Sequence, residues 1–217
     1  RRKNNFFLTM IRHTSFKHGW FYHYRHHTEK SSQLCSDKFL PLKDYLDEMH
    51  DRCPDEHFIK GPRSSKLRMS LGIDTVHVTG HEISSIASVS HEHLSYKSAH
   101  SRVQVYMLEN DQTTLAVEVP IWLMPDELIG FNELFDSDEP LSGHIDALRV
   151  EDGKIWIWDY KPNAKKEKYA TTQVFFYAYM LSCRTKIPLS DFRCGYFDEE
   201  HTYMFKPELG QLVGCVR

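Results

Sequence analysis

Residues 141–161 read LSGHIDALRVEDGKIWIWDYK: two aliphatic and aromatic runs separated by Glu151-Asp152-Gly153. An Asp-Gly pair supplies the positive φ angles of a tight hairpin turn, so the runs are read as neighbouring antiparallel strands, 141–150 and 154–161. Hairpin strands are adjacent by construction. Asp146 on the first and Asp159 near the end of the second are therefore carried toward each other. Like charges so placed repel, and a hard divalent cation relieves the repulsion; Mg²⁺ or Mn²⁺ prefers such oxygen ligands and lowers the pKa of a bound water.

Lys161 follows Asp159 by two positions, and strand side chains alternate with period two, so both point to one face. An ammonium there can orient an attacking water and offset charge on a phosphorus undergoing substitution, which phosphodiester hydrolysis requires. Trp156, Trp158 and Tyr160 alternate to the opposite face and are expected to pack under a helix, while the Tyr160 backbone carbonyl is a candidate metal ligand. Beyond Pro162, residues 168–183 place Ala170, Val174, Tyr177, Ala178 and Leu181 at helical spacing. Gln173 and Tyr177, one turn apart, share a face and reach toward phosphate. Lys165, Lys166 and Lys168 form a basic loop suited to a phosphate backbone.

Elsewhere the pattern predicts an amphipathic helix over 41–53, with Leu42, Tyr45, Leu46 and Met49 on its apolar face and Pro41 in its first turn. Residues 102–109 alternate Val103, Val105 and Met107 with polar neighbours. They are read as a strand paired with 113–123, whose Leu115, Val117, Val119 and Ile121 share a face. Residues 193–197 and 201–205 are read as a last strand pair. Residues 60–70 suit a loop, 71–100 show no clean period, and 1–36 interleave aromatic, histidine and basic residues, fitting either a nucleic-acid-facing arm or a peripheral helical layer. The domain reading is an N-terminal, mostly helical or irregular region, 1–100, packing on a core, 101–217.

Composition narrows the function classes. The 217 residues carry a formal net charge of −3, so any nucleic-acid contact must use a local basic patch. No stretch approaches the ~18 apolar residues of a membrane span, and residues 6–11 are short for a signal peptide, so a soluble intracellular protein is expected, in cytoplasm, organelle or nucleus. The chain starts at Arg1 without an initiator methionine and is read as open to being a segment of a longer protein. Cys35, Cys53, Cys183, Cys194 and Cys215 are widely spaced without a CxxC pair, which disfavours disulfide frameworks and zinc ribbons and favours buried thiols. Of the 14 histidines, a pair such as His77 and His81 could ligate zinc only on a helix; ordinary surface histidines are the larger expectation.

Gly143-x-x-Asp146, Asp159-x-Lys161 and Gln173-x-x-x-Tyr177, in this order and on a strand, turn, strand, helix context, resemble the PD-(D/E)XK nuclease superfamily and specifically its RecB-like branch, which includes nuclease domains of recombination helicase-nucleases and CRISPR adaptation exonucleases. The resemblance covers about residues 113–207. It implies a restriction-endonuclease-like α/β (α+β) core, a central mixed β-sheet flanked by helices, with a helical N-terminal extension. It further implies Mg²⁺ or Mn²⁺ on Asp146, Asp159 and Tyr160, a catalytic Lys161, and assistance from Gln173 and Tyr177. DNA is the implied substrate, with RNA also open, in exonucleolytic replication, recombination or repair alongside helicases or similar proteins. The branch usually adds a histidine or glutamate ligand from an upstream helix; His77, His81, Glu82, His91 and Glu92 compete for that place, and Glu118 resembles an acidic position on the preceding strand of some members. Relatives with an iron–sulfur cluster use three clustered downstream cysteines, whereas Cys183, Cys194 and Cys215 are dispersed, so no cluster is expected. The alternatives are a non-catalytic nucleic-acid-binding module that keeps the fold, for which paired carboxylates facing phosphate are unfavourable, and a zinc-binding interaction protein built on the histidine clusters.

Overall fold

The computed structural model describes residues 10–91 and 96–212. Eight strands form one mixed sheet: β1 (Ile11–Lys17), β2 (Phe21–His27), β3 (Val76–Thr79), β4 (Thr114–Leu123), β5 (Leu141–Glu151), β6 (Lys154–Tyr160), β7 (Phe192–Phe197) and β8 (His201–Phe205), in spatial order β1-β2-β4-β5-β6-β7-β8-β3. Among the described strands only β6 and β7 pair in parallel. Parallel neighbours need a crossover, and a helix, α6 (Ala170–Thr185), supplies it.

The β5–β6 turn is the expected hairpin. Asp152 and Gly153 take φ of +50° and +65°, and Glu151 pairs with Lys154. The helix α2 (Leu40–Arg52) buries Leu42, Tyr45, Leu46 and Met49, the four apolar positions of its sequence stripe, and carries Pro in its first turn. It packs with α5 (Phe131–Phe135) and α6 on one face of the sheet. The other face lies under α3 (Glu82–Ser90) and α4 (Ala99–Asn110), where Trp158 and Tyr160 are buried against Ile83, Val103 and Met107, as their alternation requires.

Two local readings are corrected. Residues 102–109, read as a strand, lie in α4, because Ser98 caps it by accepting from Ser101 N and because helical bonds close its two ends, Arg102 N to Ser98 O at 3.1 Å and Asp111 N to Met107 O at 3.0 Å. Lys30, on α1 (Thr28–Leu34), fixes the far end of α4 by donating to the carbonyls of Leu108 and Asp111. β4 accordingly pairs with β2 and β5 rather than with residues 102–109. Nor do Leu115, Val117, Val119 and Ile121 share a face: Val117 joins the α3/α4 cluster and the others join the opposite core.

Besides α2, the helix expected over 41–53, the first hundred residues supply α1, α3 and the strands β1, β2 and β3. Those strands pair with β4 and β8, so the sheet continues across residue 100. The aromatic, histidine-rich segment forms the β1–β2 hairpin at one edge. Cys35 and Cys194 are buried free thiols, Cys53 and Cys183 are half-buried ones, and Cys215 lies outside the described residues.

Gly195 lies beside Trp158 in the parallel ladder, and a Cβ there would stand 2.2 Å from the indole Cζ3. Gly195→Ala is therefore expected to destabilise the protein by about 1–3 kcal/mol through overpacking, read as a lower urea midpoint at unchanged m-value. An unchanged midpoint would mean that the buried indole can give way.

Candidate active site

Pairing between β5 and β6 runs from Glu151–Lys154 to Ala147–Trp158 and ends one residue short of Asp146 and Asp159. Beyond that point β5 continues along β4 as far as Leu141–Leu123, while Asp159 and Tyr160 pair only with β7. The sheet thus forks at the two acids. The irregularity extends to β4: Val117 and Ala147 face the α3/α4 side, but Val119 and Ile145, two residues away, face the other core. Regular alternation would keep them on one face. The change falls on Glu118, which takes φ of +52°, and on Asp146 beside it.

The fork opens into a cleft of about 140 Å³ lined by Asp146, Asp159, Glu118, His100, Lys161, Gln173 and Tyr177, with Tyr22, Arg63 and His144 on the β1–β2 side. Asp146 accepts from Tyr160 N at 2.9 Å and from Gln104 Nε2 at 3.3 Å, and His100 Nε2 stands 3.8 Å from its Oδ2. Asp159 Oδ2 lies 2.7 Å from Lys161 Nζ but accepts no well-directed hydrogen bond. Its Oδ1 accepts from Gln173 Nε2 at 3.0 Å, Gln173 Oε1 accepts from Lys161 Nζ at 3.0 Å, and Gln173 Nε2 also donates to Tyr177 OH at 2.8 Å. Gln173 is thus a fixed link whose oxygen holds the ammonium and whose amide nitrogen holds the carboxylate and the phenol. Gly143 is needed where it stands, since a Cβ would lie 2.5 Å from Tyr177 Cε1.

Burial, and then the charge of Asp159, push the Asp146 carboxyl up to about 7. Burial alone would lower Lys161, but the adjoining Asp159 and Asp146 carboxylates outweigh it and raise the ammonium above its ordinary value. Burial, reinforced by the same two carboxylates, raises the Tyr177 phenol. Two carboxylates in one desolvated cleft, one with an incompletely satisfied buried oxygen, fit a hard divalent cation; His100 and Glu118 line the same cleft, Glu118 accepting from the His23 amide.

Five of the six residues expected at the site, Asp146, Asp159, Lys161, Gln173 and Tyr177, line this cleft; Tyr160, whose carbonyl is the expected third ligand, does not, and its side chain is buried under α3 and α4. Four of the five competing upstream ligands lie elsewhere. His77 hydrogen-bonds His201 beside the distant β3 edge, His81 caps α3, Glu82 pairs with Arg149, and His91 pairs with Glu199. Glu92 lies outside the described residues. His100 and Gln104, one turn apart on α4, are the helical residues that meet Asp146 instead. Reading 102–109 as a strand hid Gln104, and His100 fell in the unassigned stretch before it; the Ser98 cap and the His100-x-x-x-Gln104 spacing are the signals that reveal them. Tyr22, Arg63 and His144 have no sequence signal, because they meet only through tertiary contacts. The basic loop lines an adjoining groove of about 380 Å³ with Arg68, Lys166, Lys168 and Tyr169, which shares Lys161 and Gln173 with the cleft.

A mixed sheet flanked by helices with an acid pair and a lysine at a strand fork defines a restriction-endonuclease-like nuclease fold. A family model of the PD-(D/E)XK nuclease superfamily matches residues 18–212, and the chain belongs to that superfamily, whose nucleases use divalent metals. Comparison with curated proteins finds no match. No helix among the described residues is long and apolar enough to cross a membrane.

Because the folded metal-free protein holds the Asp146 proton up to about pH 7, well above the unfolded carboxyl, this group's stability contribution is full below about pH 4 and is lost as pH rises through about 7. Asp146→Asn is therefore expected to melt higher than the parent at pH 8 in EDTA and about equally at low pH. Equal melting at pH 8 would contradict the buried-carboxylate penalty.

Proposed function

We propose that the protein is a Mg²⁺- or Mn²⁺-dependent nuclease that hydrolyses phosphodiester bonds in DNA, acting as an exonuclease in replication, recombination or repair. The observation that supports this reading best is the shared cleft of Asp146, Asp159 and Lys161 at the fork of the sheet. Asp146 and Asp159, with the Tyr160 carbonyl, would hold the divalent ion, and His100 or Glu118 would be its nearest further ligand in the cleft. When bound, the ion polarises a phosphate oxygen and acidifies water.

The remaining steps belong to the chain. Gln104 and the Tyr160 amide keep Asp146 aimed into the cleft. Gln173 fixes the Lys161 ammonium beside Asp159, where it orients the attacking water and offsets the charge that develops on the phosphorus substituents. Tyr177 accepts from Gln173, so its own hydroxyl hydrogen is a donor for a phosphate oxygen. Arg68, Lys166 and Lys168 in the adjoining groove carry the flanking backbone, which is how a chain of net charge −3 meets a polyanion locally.

Asp146→Ala, Asp159→Ala and Lys161→Ala are each expected to lower metal-dependent cleavage by at least about a hundredfold while the fold persists by circular dichroism; Gln173→Ala loses less. The assay compares end-labelled linear with circular DNA, and an exonuclease spares the circle. Full activity in Lys161→Ala would remove the proposed chemistry. Binding without any cleavage by the parent in Mg²⁺ or Mn²⁺ would favour a non-catalytic binding module.

A further inference from the structure

Arg63 lines the cleft together with Lys161, and its surroundings are unusual for a half-buried cation. Among the described residues no carboxylate pairs with it: its guanidinium donates to Tyr22 OH at 2.7 Å, to the carbonyls of His18 and Phe58 at 3.3 and 3.5 Å, to Ser142 Oγ at 3.5 Å and to His144 Nδ1 at 3.3 Å. Every acceptor is neutral. The guanidinium is thereby clamped without being neutralised, at a cleft wall where a carboxylate would have been the simpler partner.

The contact with His144 orders what lies behind it. A guanidinium has donors only, so His144 Nδ1 must offer a lone pair, and its proton sits on Nε2. That proton is donated to His18 Nδ1 at 2.9 Å, which places the His18 proton on Nε2, directed at Asp55 Oδ1 at 2.8 Å. One direction of donation thus runs from Arg63 through two neutral imidazoles to Asp55 at the surface. The rings are packed to hold it: Tyr22 stacks on His144 with centroids 3.7 Å apart, and Phe58 stacks on His18 at 4.0 Å. His18, Cys53 and Asp55 could also be taken as a metal group, their ligand atoms lying within 4.8 Å of one another, but this tautomer turns an N–H rather than a lone pair toward Asp55. The counter-charge of Arg63 is thereby moved to the far side of two rings, and its positive field stays directed into the cleft.

We infer that Arg63 is a preorganised phosphate-binding residue, holding a phosphate of the nucleic-acid strand next to the one at the acid pair, with His144 and His18 as its positioning residues. The inference rests on the nuclease reading of the same cleft. Lys161 and Arg63 then share the cleft with the acids, one cation serving the reacting phosphate and the other its neighbour. That neighbour is either an internal phosphodiester or a terminal phosphate monoester, and the two differ in their consequence for substrate choice.

The test is oligonucleotide binding by fluorescence anisotropy, with Ca²⁺ replacing Mg²⁺, over a range of salt, using strands with a 5′-phosphate and with a 5′-hydroxyl. Arg63→Met is expected to weaken binding about 10- to 100-fold and to reduce the magnitude of the salt slope by about one, while thermal stabilisation by Mg²⁺ alone stays as in the parent. Arg63→Lys, which keeps the charge and loses the fork, should keep the salt slope and lose part of the affinity. His144→Phe, which keeps the stacking on Tyr22 but not the acceptor, should likewise lose affinity at the parental slope, a split that general loosening would not give. A penalty confined to the 5′-phosphorylated strand assigns a terminal monoester; an equal penalty on both assigns an internal diester. Parental affinity and slope in a folded Arg63→Met overturn the inference and leave the nuclease reading intact. A parent that binds neither DNA nor RNA overturns the nuclease reading, and this one with it.

Discussion

The buried repulsion between Asp146 and Asp159 is the constraint around which the rest of the structure is arranged. Two carboxylates in a desolvated fork cannot both stay charged without compensation, and burial together with the charge of Asp159 pushes Asp146 up to about 7. The compensating groups come from four directions: the Tyr160 amide from β6, Gln104 from α4, Lys161 from just past β6, and Gln173 from α6. Each satisfies part of the acid pair and none neutralises it fully. A site left deliberately short of positive charge is a site for a cation, and the stability given up in the metal-free state is the counterpart of affinity in the loaded one.

The fork itself is a departure from regular sheet geometry. β4 and β5 change face together at Glu118 and Asp146, with Glu118 in a left-handed conformation that a carboxylate side chain adopts at a cost. The gain is geometric. Below the irregularity the strands pack two full hydrophobic layers, whereas at it the ladder between β5 and β6 stops and two polar side chains meet in the gap. Strain at this position is tolerated because the flanking residues, Val117, Val119, Ile145 and Ala147, are almost completely buried and fix the backbone on both sides.

Much of this was legible in the residues. The hairpin over 141–161 follows from its turn chemistry, α2 and α6 follow from apolar spacing, and the acid pair, Lys161, Gln173 and Tyr177 follow from motif order on those elements. What failed did so for identifiable reasons. Val103, Val105 and Met107 satisfy a two-residue period while lying in a helix, because α4 is buried over more than one stripe and so lacks a narrow apolar face. That misreading concealed Gln104, while His100 lay in the stretch 71–100 that shows no clean period. The β1–β2 hairpin was illegible as strands because its aromatic and histidine residues alternate without a clear polar face; Tyr24 and His26 are completely buried and yet Tyr22 lines the cleft.

Local sequence determined which acids, which lysine and which hairpin the chain would have, since turn preference and strand alternation act over a few residues. Only the tertiary structure decided what surrounds them. Arg63, Tyr22, His144 and His18 are separated by up to 126 positions and meet because β1 and β2 close the edge of the sheet beside β4, whose other neighbour is β5. Periodicity records which face of an element is buried; it holds no information on which distant element will cover that face, and the environment of the cleft is set by that covering.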